Sequence, residues 1–131
     1  MLNTQMKQES LEEKCKRFRR ELFEMFLPHG GTPFPSASSC LEILVALYYQ
    51  VKRPEDIVII SKGHGASVRY PILCDLGLVD PAEMASYRKP GGLLKLYAEP
   101  AIPETRVPCA SLGIGFGVAA GMALANRERR V

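Results

Sequence analysis

The sequence predicts an α/β fold in incomplete form, the helix-rich first part of a parallel-sheet domain. Three observations predict it. Four apolar β-formers, Ile57-Val58-Ile59-Ile60, stop at a Ser61-Lys62-Gly63-His64-Gly65 turn that leads into a helical pattern. That order of strand, glycine turn and helix is how α/β proteins build anionic-ligand sites at the carboxyl edge of a sheet. No second strand pattern accompanies it, although a lone parallel strand needs neighbours for its backbone hydrogen bonds. The 131 residues close on Val131, just after a helix dense in Gly and Ala, where another strand is expected. Partner strands would come from a continuation of the chain or from another polypeptide.

The elements follow in order. Residues from about Gln8 to Leu27 form an amphipathic helix, with Leu11, Cys15, Phe18, Leu22 and Met25 at steps of three and four. Ser10 and Glu13 have the spacing of a capping box, and Pro28 ends the helix. His29 to Ser39 reads as a Gly/Pro/Ser loop. A second helix, from about Ser39 to Val51, is apolar on most sides and so predicted to be buried. Lys52 to Asp56 is a polar connection into the Ile57–Ile60 strand. A helix from about Ala66 to Leu76 follows the turn, with Gly77 as its C-cap. Asp80 and Pro81 start a short helix running to Tyr87. Arg88 to Pro108 is loop-like, and Leu112 to Arg127 is the last helix.

Bulk properties narrow the function. An apolar fraction of 47% with 24% charged residues is that of an ordinary soluble globular domain. A net charge of +3 is too small to argue for nucleic acid. The basic runs at Lys14–Arg20 and Arg127–Arg130 have acidic neighbours and read as solvated faces. A nucleic-acid-binding module built on them would leave the Ser61–Gly65 turn unexplained. The four cysteines, at 15, 40, 74 and 109, are widely spaced, with no CxxC pair. That excludes a metal knuckle and fits reduced thiols in a cytoplasmic protein. No apolar stretch approaches the roughly 20 residues that span a bilayer, and the N-terminus has no signal-peptide core.

Two motifs carry the chemistry. In the turn, Gly63 and Gly65 allow a close backbone approach, and His64 can donate a hydrogen bond to a phosphate oxygen. The alternative is that His64 only closes the turn on a carbonyl. The second motif runs from Ala110-Ser111-Leu112-Gly113 into Gly121-Met122-Ala123-Leu124-Ala125. Its glycines have the wrong spacing for a dinucleotide fingerprint. Gly117, Gly121 and Ala125, at steps of four, instead form a smooth groove for close packing, at a subunit interface or beneath a cofactor.

Together these stretches resemble the N-terminal part of the transketolase family, within its thiamine-diphosphate-binding domain. Ser61-Lys62-Gly63-His64-Gly65-Ala66 matches the family's SKGHA or SNGHG turn. Ser111-Leu112-Gly113-Ile114-Gly115 with Gly121–Ala125 is similar to its GSLGQG…VGMALA helix. Ser39 to Tyr49 looks like the helix after its first histidine loop. The likeness runs from about residue 10 to the end.

The resemblance implies a function. His64 stands where the family contacts the cofactor diphosphate, Leu112 where a leucine lies against the cofactor rings, and Gly113 follows it in the same motif. Ala110 replaces a glycine on the aminopyrimidine side. The family's first loop histidine falls on Pro33, with His29 four residues early. Its third histidine falls on Glu99, a carboxylate able to exchange a proton if its pKa were raised, or else a plain loop acid. His64 and Glu99 are therefore the candidate catalytic residues. The cofactor would be thiamine diphosphate with Mg²⁺. The metal motif is expected outside this chain, a few residues after Val131, and the pyrimidine-binding domain is likewise absent. Residues 1–131 read as a portion of the thiamine-diphosphate-binding domain. The expected partner is a complementary subunit or a missing C-terminal part, in an oligomer without nucleic acid or membrane. The implied reaction transfers a two-carbon ketol unit between sugar phosphates, and the isolated chain is expected to be inactive. The alternative is a non-catalytic stabilising subunit that kept the fold.

Overall fold

The computed structural model describes residues 9–31 and 33–131. Gln8, where the first predicted helix begins, lies outside them.

Local chemistry sets the helix ends. Helix α1 spans Leu11–Phe26. Ser10 Oγ accepts from the Glu13 amide at 3.2 Å, and the Glu13 carboxylate accepts from the Ser10 amide at 2.8 Å, so the predicted capping box is present. Cys15, Phe18, Leu22, Met25 and Phe26 turn inward. A 3-10 turn over Leu27–His29 ends on Gly30, at φ +78°.

The Gly/Pro/Ser segment contains a short helix, α2 (Phe34–Ser38), where a loop was expected. Pro35 sits in its first turn, where proline favours a helix start rather than breaking one. Helix α3 (Leu41–Ala46) continues into a π turn over Leu47–Val51. Leu41, Leu44, Val45 and Tyr48 are buried, whereas Ile43 is 69% exposed.

The glycine turn continues as a 3-10 helix over Gly63–Val68 and then α4 (Arg69–Asp75). The Gly77 amide donates to Cys74 O at 3.0 Å and the Leu78 amide to Leu73 O at 2.9 Å. This is a Schellman ending with Gly77 at φ +70°. A 3-10 helix over Pro81–Ser86 is capped by Asp80, which accepts from the Ala82 amide. Helix α5 spans Ile114–Ala125. One core unites α1, α2, α3 and α4 with Val79, Tyr87, Leu94, Ala98 and Ile102.

The predicted strand needs correction. Among the described residues there is no strand, and residues 57–60 run as irregular chain. The Ile57 amide donates to Arg130 O at 3.0 Å, and no second rung follows among the described residues. A strand exists only through its ladder, and the apolar run has found no partner within these residues. The basic runs are paired with acids. Lys14 and Arg17 pair with Glu9 and Asp75, Arg20 with Glu24, and Arg130 with Asp56.

Candidate functional site

The two glycine-rich motifs, far apart in sequence, meet backbone to backbone. A Cβ built on Gly63 would stand 2.8 Å from Cys109 O and 2.9 Å from Ala110 O. One built on Gly115 would stand 2.8 Å from Ser61 Cα and 2.9 Å from Cys109 Sγ. Glycine is favoured at both positions because a methyl group there would have to push main chain aside. The seam sets the Ser61–Gly65 turn beside the Cys109–Gly115 loop.

Each side of the seam is held from behind. Lys62 Nζ donates to Ser36 O at 2.5 Å and to Ser39 Oγ at 2.7 Å, which ties α2 to the turn. Gly65 packs on the thiol of Cys40. Burial raises the thiol pKa of Cys40 against the pull of the Lys62 charge. Arg69, 3% exposed, donates from Nη1 to Glu104 O and from Nη2 to Thr105 Oγ1, each at 2.9 Å. That buried fork pins the loop leading to Cys109. Upstream, Ser67 Oγ donates to Leu96 O at 3.2 Å and Tyr70 Oη to Lys95 O at 2.6 Å.

His64 projects from the turn and is exposed. Its ring stacks on Tyr97 at 5.6 Å between centroids and 15° between planes. The Tyr97 hydroxyl lies 3.4 Å from His64 Nε2. Leu112 is 82% exposed, Ala110 is exposed with its carbonyl turned to Gly63, and Gly113 adopts φ +87° as the residue before α5. His64, Ala110, Leu112 and Gly113 therefore all flank one seam.

Of the other candidates, Glu99 lies two residues beyond Tyr97, whereas His29 and Pro33 lie between α1 and α2. Glu99 is exposed, and its side chain makes no hydrogen bond or ion pair among the described residues. His29 packs edge-on to Tyr87 at 5.4 Å, and Pro33 caps α2. Sequence reasoning missed Tyr97, which lies in an aperiodic loop 33 residues from its partner. The signal that points to it is indirect: Ser67 and Tyr70, polar groups beside Arg69 on a buried segment, require acceptors, and these are the carbonyls just before Tyr97. Among the described residues no group of three or more His, Cys, Asp or Glu is placed to hold a metal ion. Among them, too, no helix is long and apolar enough to cross a membrane.

Comparison with known proteins gives this arrangement a relationship. No family model matches the chain. A transketolase of Pongo abelii is 29% identical over 94% of this chain and 21% of its own length. The human transketolase is 28% identical over the same shares. One subunit of an apulose-4-phosphate transketolase from Actinobacillus succinogenes is 32% identical over 92% of this chain and 48% of its own length. The chain thus spans between a fifth and a half of the curated relatives it matches. Their family is α/β, which supports the predicted class at the family level, while the described residues themselves are helix-rich and hold no strand. With nearly the whole chain aligned to proteins of one name, some of them named as single subunits, this chain is homologous to the transketolases and fits the N-terminal part of such a protein.

Proposed function

We propose that this chain supplies the His64 side of a thiamine diphosphate site to a transketolase-like enzyme acting on sugar phosphates. The observation that carries the reading is the seam. Backbone contacts at Gly63 and Gly115 hold an exposed histidine and an exposed leucine on either side of one junction. An exposed imidazole suits the terminal oxygens of a diphosphate, and exposed Leu112 suits an apolar ring surface. These residues fit one part of the cofactor. The Mg²⁺ ligands would come from elsewhere in the assembly.

When bound, the cofactor supplies an electron sink for cleaving and transferring the two-carbon ketol unit. This chain's contribution is binding and orientation: His64 donates to an anionic oxygen, and Leu112 excludes water from the ring face. Ala110 keeps the main-chain groups that glycine offers at that position. Glu99 is the proposed proton-exchanging group near the substrate. The complementary partner is a second transketolase polypeptide or a C-terminal part, the former in keeping with relatives that are themselves named as single transketolase subunits.

Calorimetry on the chain with that partner, thiamine diphosphate and Mg²⁺ tests the reading. Hydrogen bonds to charged groups contribute about 1.5–3 kcal/mol, so His64→Ala should weaken cofactor binding roughly 10- to 150-fold. Failure of the wild-type complex to bind the cofactor would sink the proposal.

A second reading is favoured by one observation: Pro33 and Glu99 occupy the places of two family histidines, and Glu99 is exposed without a partner among the described residues. On that reading the chain is a stabilising component without catalysis. Glu99→His in the full assembly separates the two. Activity in either form removes the scaffold reading, and inactivity in both supports it.

A further inference from the structure

We infer that Tyr97 is a positioning residue for His64, fixing the ring plane by stacking and selecting the Nδ1–H tautomer through its hydroxyl. The inference deepens the proposed reading and rests on it in taking His64 as the functional histidine.

Three observations carry it. First, the pair is nearly parallel, at 15° and 5.6 Å, with the hydroxyl 3.4 Å from Nε2. An exposed histidine at the tip of a turn otherwise samples several rotamers, and a stacked ring removes that freedom. Second, Tyr97 is itself held. Ala98 is 3% exposed and anchors the loop, Leu96 O and Lys95 O are fixed by Ser67 and Tyr70, and the Tyr97 ring packs on Gly63, whose Cβ would lie 3.1 Å from Cε1. The same 3-10 turn and helix that carry His64 therefore clamp the segment that carries its partner. Third, the Tyr97 hydroxyl has no other hydrogen-bond partner in the protein among the described residues.

Acid–base matching sets the direction of the bond. A phenol, with an ordinary pKa near 10, is a far stronger acid than a neutral imidazole N–H. An imidazole nitrogen, whose conjugate acid has an ordinary pKa near 6.5, is the stronger base. The hydroxyl therefore donates to Nε2, and the ring proton resides on Nδ1. That leaves an N–H donor, in a fixed plane, for an anionic oxygen approaching the free edge of the ring. The 3.4 Å separation is long for such a bond, and bonds of this kind tighten when a ligand engages the far side.

Long-range ¹H–¹⁵N NMR of the histidine rings, on the full chain without cofactor and above the histidine titration range, tests this. His29, packed edge-on to Tyr87, is an internal reference. In the wild type His64 should report the Nδ1–H form. Tyr97→Phe keeps the stack and removes the hydroxyl, so His64 should shift to the Nε2–H form while His29 stays unchanged. Tyr97→Leu should in addition remove the ring-current shift of the His64 carbon-bound protons. An Nε2–H wild type, or a His64 tautomer unchanged by Tyr97→Phe, overturns the inference. A general loosening of the fold would move His29 and the backbone spectrum as well, and a tautomer change seen only under such loosening also counts against it. No cofactor is present in the experiment, so its failure is separate from a failure of thiamine diphosphate binding.

Discussion

Gly115→Ala places a methyl group 2.8 Å from Ser61 Cα and Cβ and 2.9 Å from Cys109 Sγ. Carbon atoms rest comfortably at about 3.5–4.0 Å, so the seam must open by roughly 1 Å. Ser61 Cα is main chain and cannot rotate aside. Overpacking of this kind costs about 1–3 kcal/mol. Alanine's helix propensity returns up to about 1 kcal/mol over glycine, and less here because Gly115 is only the second residue of α5. The net expectation is a loss of about 1–2 kcal/mol. Gly121→Ala is the matched control: nothing lies within 4 Å of its Cβ position, and it sits inside the same helix. It should gain about 0.5–1 kcal/mol. Urea unfolding monitored by circular dichroism reads both. With a slope near about 1.5 kcal/mol/M, Gly115→Ala should lower the midpoint by roughly 1 M and Gly121→Ala should raise it. Equal shifts, or shifts in the same direction, would refute the seam.

Asp75 is pushed up by burial, but donors from Lys14, Tyr49 and Arg17 outweigh this and hold it at about 2. A depressed carboxylate contributes stability above its unfolded pKa, near 3.9, and loses that contribution as pH falls through about 2. The shift is worth about 2.5 kcal/mol unscreened and about 1 kcal/mol in a solvent-screened network. Asp75→Asn should therefore cost about 1 kcal/mol at pH 7 and flatten the fall in thermal stability between pH 4 and 2. A steeper fall in the variant would contradict the assignment. Arg69→Met leaves Glu104 O and Thr105 Oγ1 without their donor and should cost about 2 kcal/mol by thermal denaturation; a change under about 0.5 kcal/mol would show that the fork does not hold the loop. Glu99→Gln, at an exposed residue without partners among the described residues, should leave stability within about 0.5 kcal/mol. A larger loss would give Glu99 a structural role in place of the proposed proton-exchanging one.

What the sequence revealed follows the reach of the forces involved. The Ser10–Glu13 box, the Gly77 ending and the Asp80–Pro81 start were legible because every group in them lies within a few residues. The burial of Cys15, Phe18, Leu22 and Met25 was legible because helical periodicity maps directly onto one face. The Gly/Pro/Ser composition of residues 29–39 reads as loop, yet it holds α2, because in a first turn the missing N–H of Pro35 has no bond to lose. The strand at 57–60 failed for the opposite reason: its composition is right, but a ladder partner is a long-range fact. The site divides in the same way. Glycine spacing pointed to both motifs, and the structure joins them. Tyr97 stayed hidden because its placement depends on Ser67 and Tyr70 gripping carbonyls some 25–29 residues away, and no local pattern encodes that grip.

The chain's apolar surface is distributed in a way that bears on the proposed assembly. Helix α5 is apolar on every side, yet of its residues Gly115 alone is buried, while Ile114, Phe116 and Leu124 are 53%, 77% and 70% exposed. A helix apolar all round is one that belongs inside a protein. Residues 57–60, beside the same seam, likewise hold backbone groups without a ladder among the described residues. The motifs are therefore backed by this chain and open at the front, the arrangement expected if the proposed partner covers them. Gly121 then has two environments. In the lone chain its Cβ position faces open space, so alanine stabilises. In the assembly the proposed close packing along Gly117, Gly121 and Ala125 would place a neighbouring helix there, and the same methyl group would cost about 1–3 kcal/mol of association, or roughly 5- to 150-fold in affinity. Measuring Gly121→Ala both by urea unfolding of the chain alone and by titration into the partner checks the idea. A variant that is more stable alone and binds the partner as well as the wild type would show that α5 is not the covered face.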